Sequence, residues 1–329
     1  MEQMGEVVCE NSHQFHWPGY NFFAILGIIV TSLISLRLLR AIWNLWRLYI
    51  WPNLRPAQDY VKLYGKWAVI TGGSDGIGKG YALELAKRGM NICVLSNFEN
   101  NIVSEIRSVY TVDVKWIDVD FSTTEVYERI EKEISQIDDI GILVNNVGMV
   151  QSKWQPLADQ DRRFMEKIIN VNMATVVMMT EIVLKSMLRQ NRGLIVCMGS
   201  MASRVPTPYA TLYASSKAFI ENFSVCLASE LSETKIVVKC IEPCFVRTQL
   251  LKDMTKFTDF LKSYWSWTFP DGLSFAATAT STFGVIGTPV VYAGYVAHEI
   301  LTLIVPHSIG KETLANISTK FLRWLTSEV

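Results

Sequence analysis

The segment Thr71-Gly-Gly-Ser-Asp-Gly-Ile-Gly78 constrains this chain most, because it joins a β-branched run, Trp67 to Ile70, to a helical pattern that ends near Arg88. Glycines at 72, 76 and 78 let the backbone leave a strand, turn tightly and enter a helix at once. Asn91 to Leu95, Val114 to Val119, Ile140 to Val144, Leu194 to Met198 and Ile236 to Ile241 are further short apolar runs. Helical patterns separate them at about Asn100 to Val109, Thr124 to Gln136, Arg162 to Gln190 and Leu212 to Leu231. Strands apolar on both faces and alternating with helices predict a parallel sheet covered on both sides. The expected fold class is α/β, a single doubly wound parallel sheet.

In a Rossmann-type sheet, a glycine turn at this place brings the backbone and the helix N-terminus close to a pyrophosphate. Gly72, Ser74, Asp75, Gly76, Ile77 and Gly78 are therefore candidate cofactor contacts. The spacing is GxxxGxG, which differs from the commoner GxGxxG. Asp120 is expected to end the third strand, where it would accept from an adenine amino group or simply cap the next helix; both readings stand. Asn145 and Asn146 end the fourth strand, where amide side chains tie neighbouring strand ends together, and Gly148 leaves room for a ligand.

Tyr213 and Lys217 are four apart on an expected helix and so share a face. A phenol is a weak acid, and a neighbouring ammonium is expected to lower its pKa toward a useful range. Ser200 closes the preceding strand, thirteen residues before Tyr213, and its hydroxyl is placed to hydrogen-bond a substrate carbonyl.

With these residues in order, the stretch from about Gly65 to Gly310 resembles short-chain dehydrogenases. The resemblance is to the branch of hydroxysteroid dehydrogenases and very-long-chain 3-oxoacyl-CoA reductases. It rests on Thr71 to Gly78, Asn145 to Gly148, Val171-Asn172 and Gly193 to Lys217, which includes Pro206 and Pro208. It implies Tyr213 as proton donor or acceptor, Ser200 as carbonyl orienter, and Lys217 as pKa modulator and ribose ligand. It also implies Asn172, in a helix, as the holder of a water that extends a proton relay. Val246 and Thr248 would touch the cofactor. The implied reaction is hydride transfer between a nicotinamide cofactor and a ketone or secondary alcohol on a lipid, a 3-oxoacyl-CoA or a steroid. The implied cofactor is NADP, with NAD left open.

The chain departs from that pattern after the second strand, where Ser96-Asn97-Phe98-Glu99 puts Asn97 in place of an arginine. Lys79 would replace the lost charge only in part. After the sixth strand the chain reads Pro243-Cys-Phe-Val-Arg-Thr248, and a substrate lid rich in aromatics is expected at about 249–275. Lys252, Lys256 and Lys262 there would suit the phosphates of a CoA. A final strand and helix are expected within Val285 to Val305.

Tyr20 to Leu36 carries no charge and comes near the ~20 residues that span a bilayer. Arg37, Arg40 and Arg47, interleaved with tryptophans, predict a following amphipathic helix on the membrane surface. Basic residues just past the span predict a cytosolic catalytic domain, and the relatives imply the endoplasmic reticulum membrane. Glu2, Glu6 and Glu10 before the apolar run speak against a cleaved signal. The expected organisation is residues 1–56 as membrane anchor and linker, 57–310 as catalytic domain and 311–329 as a helical tail. Positive and negative residues number 31 each, so no field attracts nucleic acid. Six cysteines lack CxxC spacing and four histidines are scattered, so reduced thiols and no metal are expected. The expected partners are a lipid-like small molecule and the membrane, with a homodimer left open. The alternative to an enzyme is a membrane-docked cofactor-binding or scaffold protein with little turnover.

Overall fold

Strand β1 (Trp67–Thr71) is buried beyond its first residue and lies between two parallel neighbours, which is why its run is continuous rather than alternating. The computed structural model describes residues 20–54, 56, 58–151, 153–204, 206–243, 246–248, 270–284 and 290–291. Six more strands follow β1: β2 (Asn91–Ser96), β3 (Val114–Asp118), β4 (Ile140–Asn145), β5 (Gly193–Met198), β6 (Ile236–Ile241) and β7 (Val290–Val291). Their order is β3-β2-β1-β4-β5-β6-β7, all parallel. The order reverses between β1 and β4, and ligands of open α/β sheets bind at such a switch point. Ile70 sits opposite Val94 on one side and Val144 on the other, which fixes the register there.

Side-chain alternation divides the core in two. Ile70, Val94, Val144 and Val196 face α4 (Gly76–Lys87), α5 (Ile102–Val109) and α10 (Gly272–Ser281) with Tyr81, Leu85, Ile106 and Phe275. Val69, Leu143, Ile195 and Cys240 face α6 (Tyr127–Ile134), α8 (Thr175–Gln190) and α9 (Thr211–Glu230) with Ile130, Met179, Val183 and Leu227. Cys93, Cys197 and Cys240 are buried free thiols. Burial pushes the Cys93 thiol up to about 12, so it stays protonated.

Several expectations are corrected. The helical run from Arg162 to Gln190 is α7 (Arg162–Ile169), a π-helical turn (Asn170–Ala174) and α8. Asp120 lies two residues beyond the end of β3. The end of the expected lid is not a cover, because α10 begins at Gly272 and packs on α4; residues 249–269, with the three lysines, lie outside the described residues. Of the expected strand and helix in 285–305, only Val290–Val291 is described.

The chain divides into two compact units, Met1–Asn44 and Leu45–Val329. In the first, α1 (Tyr20–Leu45) has 26 residues, and its stretch Asn21–Arg40 is long and apolar enough to cross a membrane. Phe22, Ile28 and Leu36 are among its exposed apolar side chains. The helix does not break at Arg37 to begin a separate surface helix. In the second unit, a π-helical turn (Trp46–Ile50) is followed by α2 (Trp51–Leu54), which occupies the first part of residues 51–56, the stretch expected as a linker. Pro52 is tolerated in the first turn of α2, where an N–H is not needed. A single-turn helix, α3 (Tyr60–Leu63), then leads into β1 and is tied down by Tyr60, whose hydroxyl donates to the Thr280 carbonyl at 2.7 Å.

Candidate active site

The switch point is laced by polar contacts that follow from Thr71 and Asn146. The Thr71 hydroxyl accepts from the N–H groups of Asn146 and Val147 at 3.0 and 3.1 Å. The Asn146 amide donates to the carbonyls of Thr71 and Gly72 at 3.0 and 3.1 Å. Beside it, Asn145 Nδ2 donates to Thr180 Oγ1 at 2.9 Å and anchors β4 to α8. Above these bonds opens a crevice of about 540 Å³.

Gly72, Ser74, Asp75, Gly76, Ile77, Asn97, Asp120, Asn146, Tyr213, Lys217 and Thr248 all line that crevice. Gly76 has φ +54°, and a Cβ on it would stand 3.2 Å from Thr248 Cγ2, so the turn lies flat against the crevice only without a side chain. Gly78 is not part of the lining. It sits behind the turn, where a Cβ would overlap the Gly72 carbonyl and the Asn146 amide. Val246 is likewise corrected: it is a buried core residue beside α4 and does not line the crevice. Gly76 and Ile77 open α4, and their N–H groups have no intrahelical acceptor. A turn with glycines at 72 and 76 that opens onto a helix N-terminus fits the pyrophosphate of a nicotinamide dinucleotide.

Tyr213 and Lys217, one turn apart on α9, both face the crevice. The Ser200 side chain lies close enough to the Tyr213 hydroxyl to favour its ionised form. Ser200, buried and outside the lining itself, accepts from Ala202 N at 3.2 Å. Lys217 Nζ donates to the Met198 carbonyl at 2.8 Å and lies 5.7 Å from the Tyr213 ring centroid. Burial lowers the Lys217 ammonium to about 8, against the opposing pull of Cys240 and Cys197. Burial also raises the Tyr213 phenol, and the nearby Ser200 hydroxyl offsets this only in part. The expected lowering of the phenol by the ammonium is therefore corrected. The lysine becomes the stronger acid of the two because the environment penalises the charge each must carry.

Asn172 is fully buried in the π-helical turn, away from the lining. Its Oδ1 accepts from Met149 N at 2.8 Å, and its Nδ2 donates to Met149 O and Ser216 Oγ, both at 3.0 Å. These bonds fix the loop after β4 against α9, and they leave Oδ1 a second acceptor site, which the expected water would use.

At the far end, Asp120 accepts from the Ser122 N–H at 2.9 Å and from its hydroxyl at 3.0 Å while also lining the crevice. These bonds close a local turn, and α6 begins only at Tyr127 with Val126 at its N-cap, so the helix-capping reading is corrected; each carboxylate oxygen keeps a second acceptor site toward the crevice. Asn100 Nδ2 donates to the Ser74 carbonyl at 3.2 Å and ties the loop after β2 to the glycine turn. Lys79 is paired with Glu105 at 2.6 Å and does not replace the missing guanidinium. Phe98, Phe121, Met149 and Lys167 also line the crevice and were not singled out from the sequence. Crossovers bring them there, and none carries a local pattern.

The short chain dehydrogenase family model matches residues 66–259. The chain is 35% identical over 291 residues to the very-long-chain 3-oxoacyl-CoA reductase of Mus musculus, covering 86% of this chain and 88% of that one. It is also 35% identical over 281 residues to the inactive hydroxysteroid dehydrogenase-like protein 1 of Homo sapiens, covering 84% and 82%. Among solved structures, a short-chain dehydrogenase from Sphingobium yanoikuyae in complex with NADPH matches with TM-score 0.53 and 28% identity, over 56% of this chain and 73% of that chain. With a parallel sheet, a glycine turn at its switch point and a matched stretch that spans the crevice, this chain belongs to the short-chain dehydrogenase family.

Proposed function

We propose that this chain is a membrane-anchored NADP-dependent oxidoreductase acting on a ketone or secondary alcohol of a lipid, a long 3-oxoacyl-CoA before a steroid. One observation carries the reading: Tyr213 and Lys217 share one crevice with the glycine turn. The NADPH bound by the Sphingobium enzyme favours NADP, while the neutral Asn97 keeps NAD in play. The name of the mouse relative favours the acyl-CoA, and α1 suits a membrane-borne substrate. The proposed setting is the endoplasmic reticulum membrane with the crevice on the cytosolic side.

A bound nicotinamide would supply or accept the hydride. Ser200 holds the substrate oxygen beside the Tyr213 hydroxyl, and Tyr213 gives its proton to that oxygen in reduction and takes one in oxidation. A phenol raised by burial keeps its proton throughout the neutral range, ready to be given to that oxygen in reduction. Lys217, with a pKa of about 8, is acidic enough to return a proton to a Tyr213 phenolate. Asn172 keeps Met149 and Ser216 fixed at the edge of this group.

A second reading, a cofactor-binding or scaffold protein with little turnover, draws on Asn97 and on the human relative named inactive. One experiment separates the two. The full chain in detergent is titrated with NADPH and NADH and assayed on 3-oxoacyl-CoA and ketosteroid panels, alongside Tyr213→Phe. The enzyme reading expects turnover that falls by about 10²-fold or more in Tyr213→Phe, with coenzyme affinity nearly kept. Coenzyme binding without turnover on either panel establishes the second reading.

A further inference from the structure

Outside the reacting groups, the second unit holds a buried charge cluster on Glu242, the residue that follows β6. Its carboxylate is fully buried. Arg204 Nε donates to Glu242 Oε2 at 3.0 Å, and the hydroxyl of Ser203 donates to Oε1 at 3.3 Å. The other arm of the guanidinium donates to Glu221 Oε1 at 2.8 Å. Glu221 lies on α9, four residues after Lys217 and eight after Tyr213, so the three share a face. Arg204 therefore joins three elements: the loop after β5, the helix carrying Tyr213 and Lys217, and the end of β6.

That loop is the one that carries Ser200. It is bonded to the end of β6 on either side of Glu242, by Gly199 N to Ile241 O at 2.8 Å and Met201 N to Pro243 O at 3.1 Å. It approaches so closely that a Cβ on Gly199 would stand 3.0 Å from Glu242 Cγ. A buried ion pair is a poor source of stability, because desolvation offsets most of its attraction. What a guanidinium adds is direction, since its planar fork holds two carboxylates at a fixed angle.

We propose that Arg204 is a positioning residue for the reaction: it holds the Ser200 loop at a fixed place against Tyr213 by gripping Glu221 and Glu242. The positioning role rests on the enzymatic reading above; the tether itself does not. The charged and titratable groups facing Glu242 are Arg204 from the loop, Glu221 from α9 and Cys240 from its own strand, with Cys197 and Lys217 beside Cys240. Burial pushes the Glu242 carboxyl up to about 7, with Arg204 opposing and Glu221 adding to the rise. As pH falls through that value Glu242 gains a proton and Arg204 loses an anionic partner. The loop is therefore expected to loosen toward acid.

The test is hydrogen exchange of the peptide covering 199–204 in the full chain, corrected for intrinsic rates. Wild type is compared with Arg204→Met, Arg204→Lys, Glu221→Gln and Glu242→Gln. Exchange should rise about tenfold in Arg204→Met, less in Arg204→Lys, and stay within about twofold across β5. In wild type the loop should loosen between pH 8 and 6 by about threefold or more, and Glu242→Gln should abolish that dependence. Where Arg204→Met does not fold, Glu221→Gln carries the test, with the same direction of change. An unchanged peptide in the Arg204 and Glu221 variants overturns the tether. On the substrate that wild type turns over, kcat should fall about tenfold in Arg204→Met with NADPH affinity kept. A loosened loop with unchanged kcat overturns the positioning role. A wild-type chain that binds NADPH but turns nothing over overturns the enzymatic reading and the positioning role, while exchange still decides the tether.

Discussion

Lys217 is held where its charge is unwelcome, and that has a consequence for stability. Its ammonium falls from 10.5 to about 8 through burial. Between those values the unfolded chain binds the proton and the folded chain does not, so stability rises with pH across that window and is lowest below it. At about 1.36 kcal/mol per pH unit, a charged Lys217 costs the fold about 3 kcal/mol at neutral pH. Loss of its bond to Met198 returns about 1 kcal/mol. Lys217→Met is thus expected to stabilise the chain by about 2 kcal/mol at pH 7 while removing activity. Urea unfolding at pH 7 and pH 10 checks it: the gain should shrink at the higher pH, and a gain that grows would refute the account. That Tyr213 and Lys217 share one face was legible because their spacing is local. Their order of acidity was not, because burial is set by Met198, Cys197 and Cys240, which come from other strands.

Among the elements, the strands were legible because each is apolar on both faces and bounded by a turn. The π-helical turn at Asn170–Ala174 was not, since one extra residue in a helix leaves the apolar pattern almost unchanged. Its effect is large, because it sits where Asn172 joins the loop after β4 to α9. Removing that amide takes their partners from the N–H and carbonyl of the half-buried Met149 and from the buried Ser216 hydroxyl. Asn172→Ala should therefore cost about 2–3 kcal/mol, read as a lower denaturant midpoint at unchanged slope. Because Met149 lines the crevice, coenzyme affinity should fall with it. A variant as stable as wild type would show that the amide is dispensable to the joint. The Arg204 cluster escaped the sequence for a similar reason: its members lie 17 and 38 residues apart. No local spacing links them.

For the whole molecule, charge around the first apolar run decides which side of a membrane the crevice faces. Glutamates at 2, 6 and 10 precede the span, and Arg37, Arg40 and Arg47 follow it. Basic residues are retained on the cytosolic side, so the unit Leu45–Val329 is expected there. The chain carries its own reporter of this topology. Asn222-Phe-Ser224 and Asn316-Ile-Ser318 are acceptor sequences for N-linked sugar, and Asn222 is exposed on α9. Glycosylation acts on the lumenal side before a domain finishes folding, so a lumenal domain would offer both sites. Expressed in cells, the chain should stay with membranes through alkaline extraction and show no mobility shift on glycosidase treatment. Replacing Arg37, Arg40 and Arg47 with glutamate and adding basic residues before Tyr20 should invert the span and produce the shift. Sugar on the wild-type chain would place the crevice in the lumen, where the coenzyme pool and the supply of acyl-CoA differ. It would thereby remove the cytosolic setting on which the acyl-CoA reading depends.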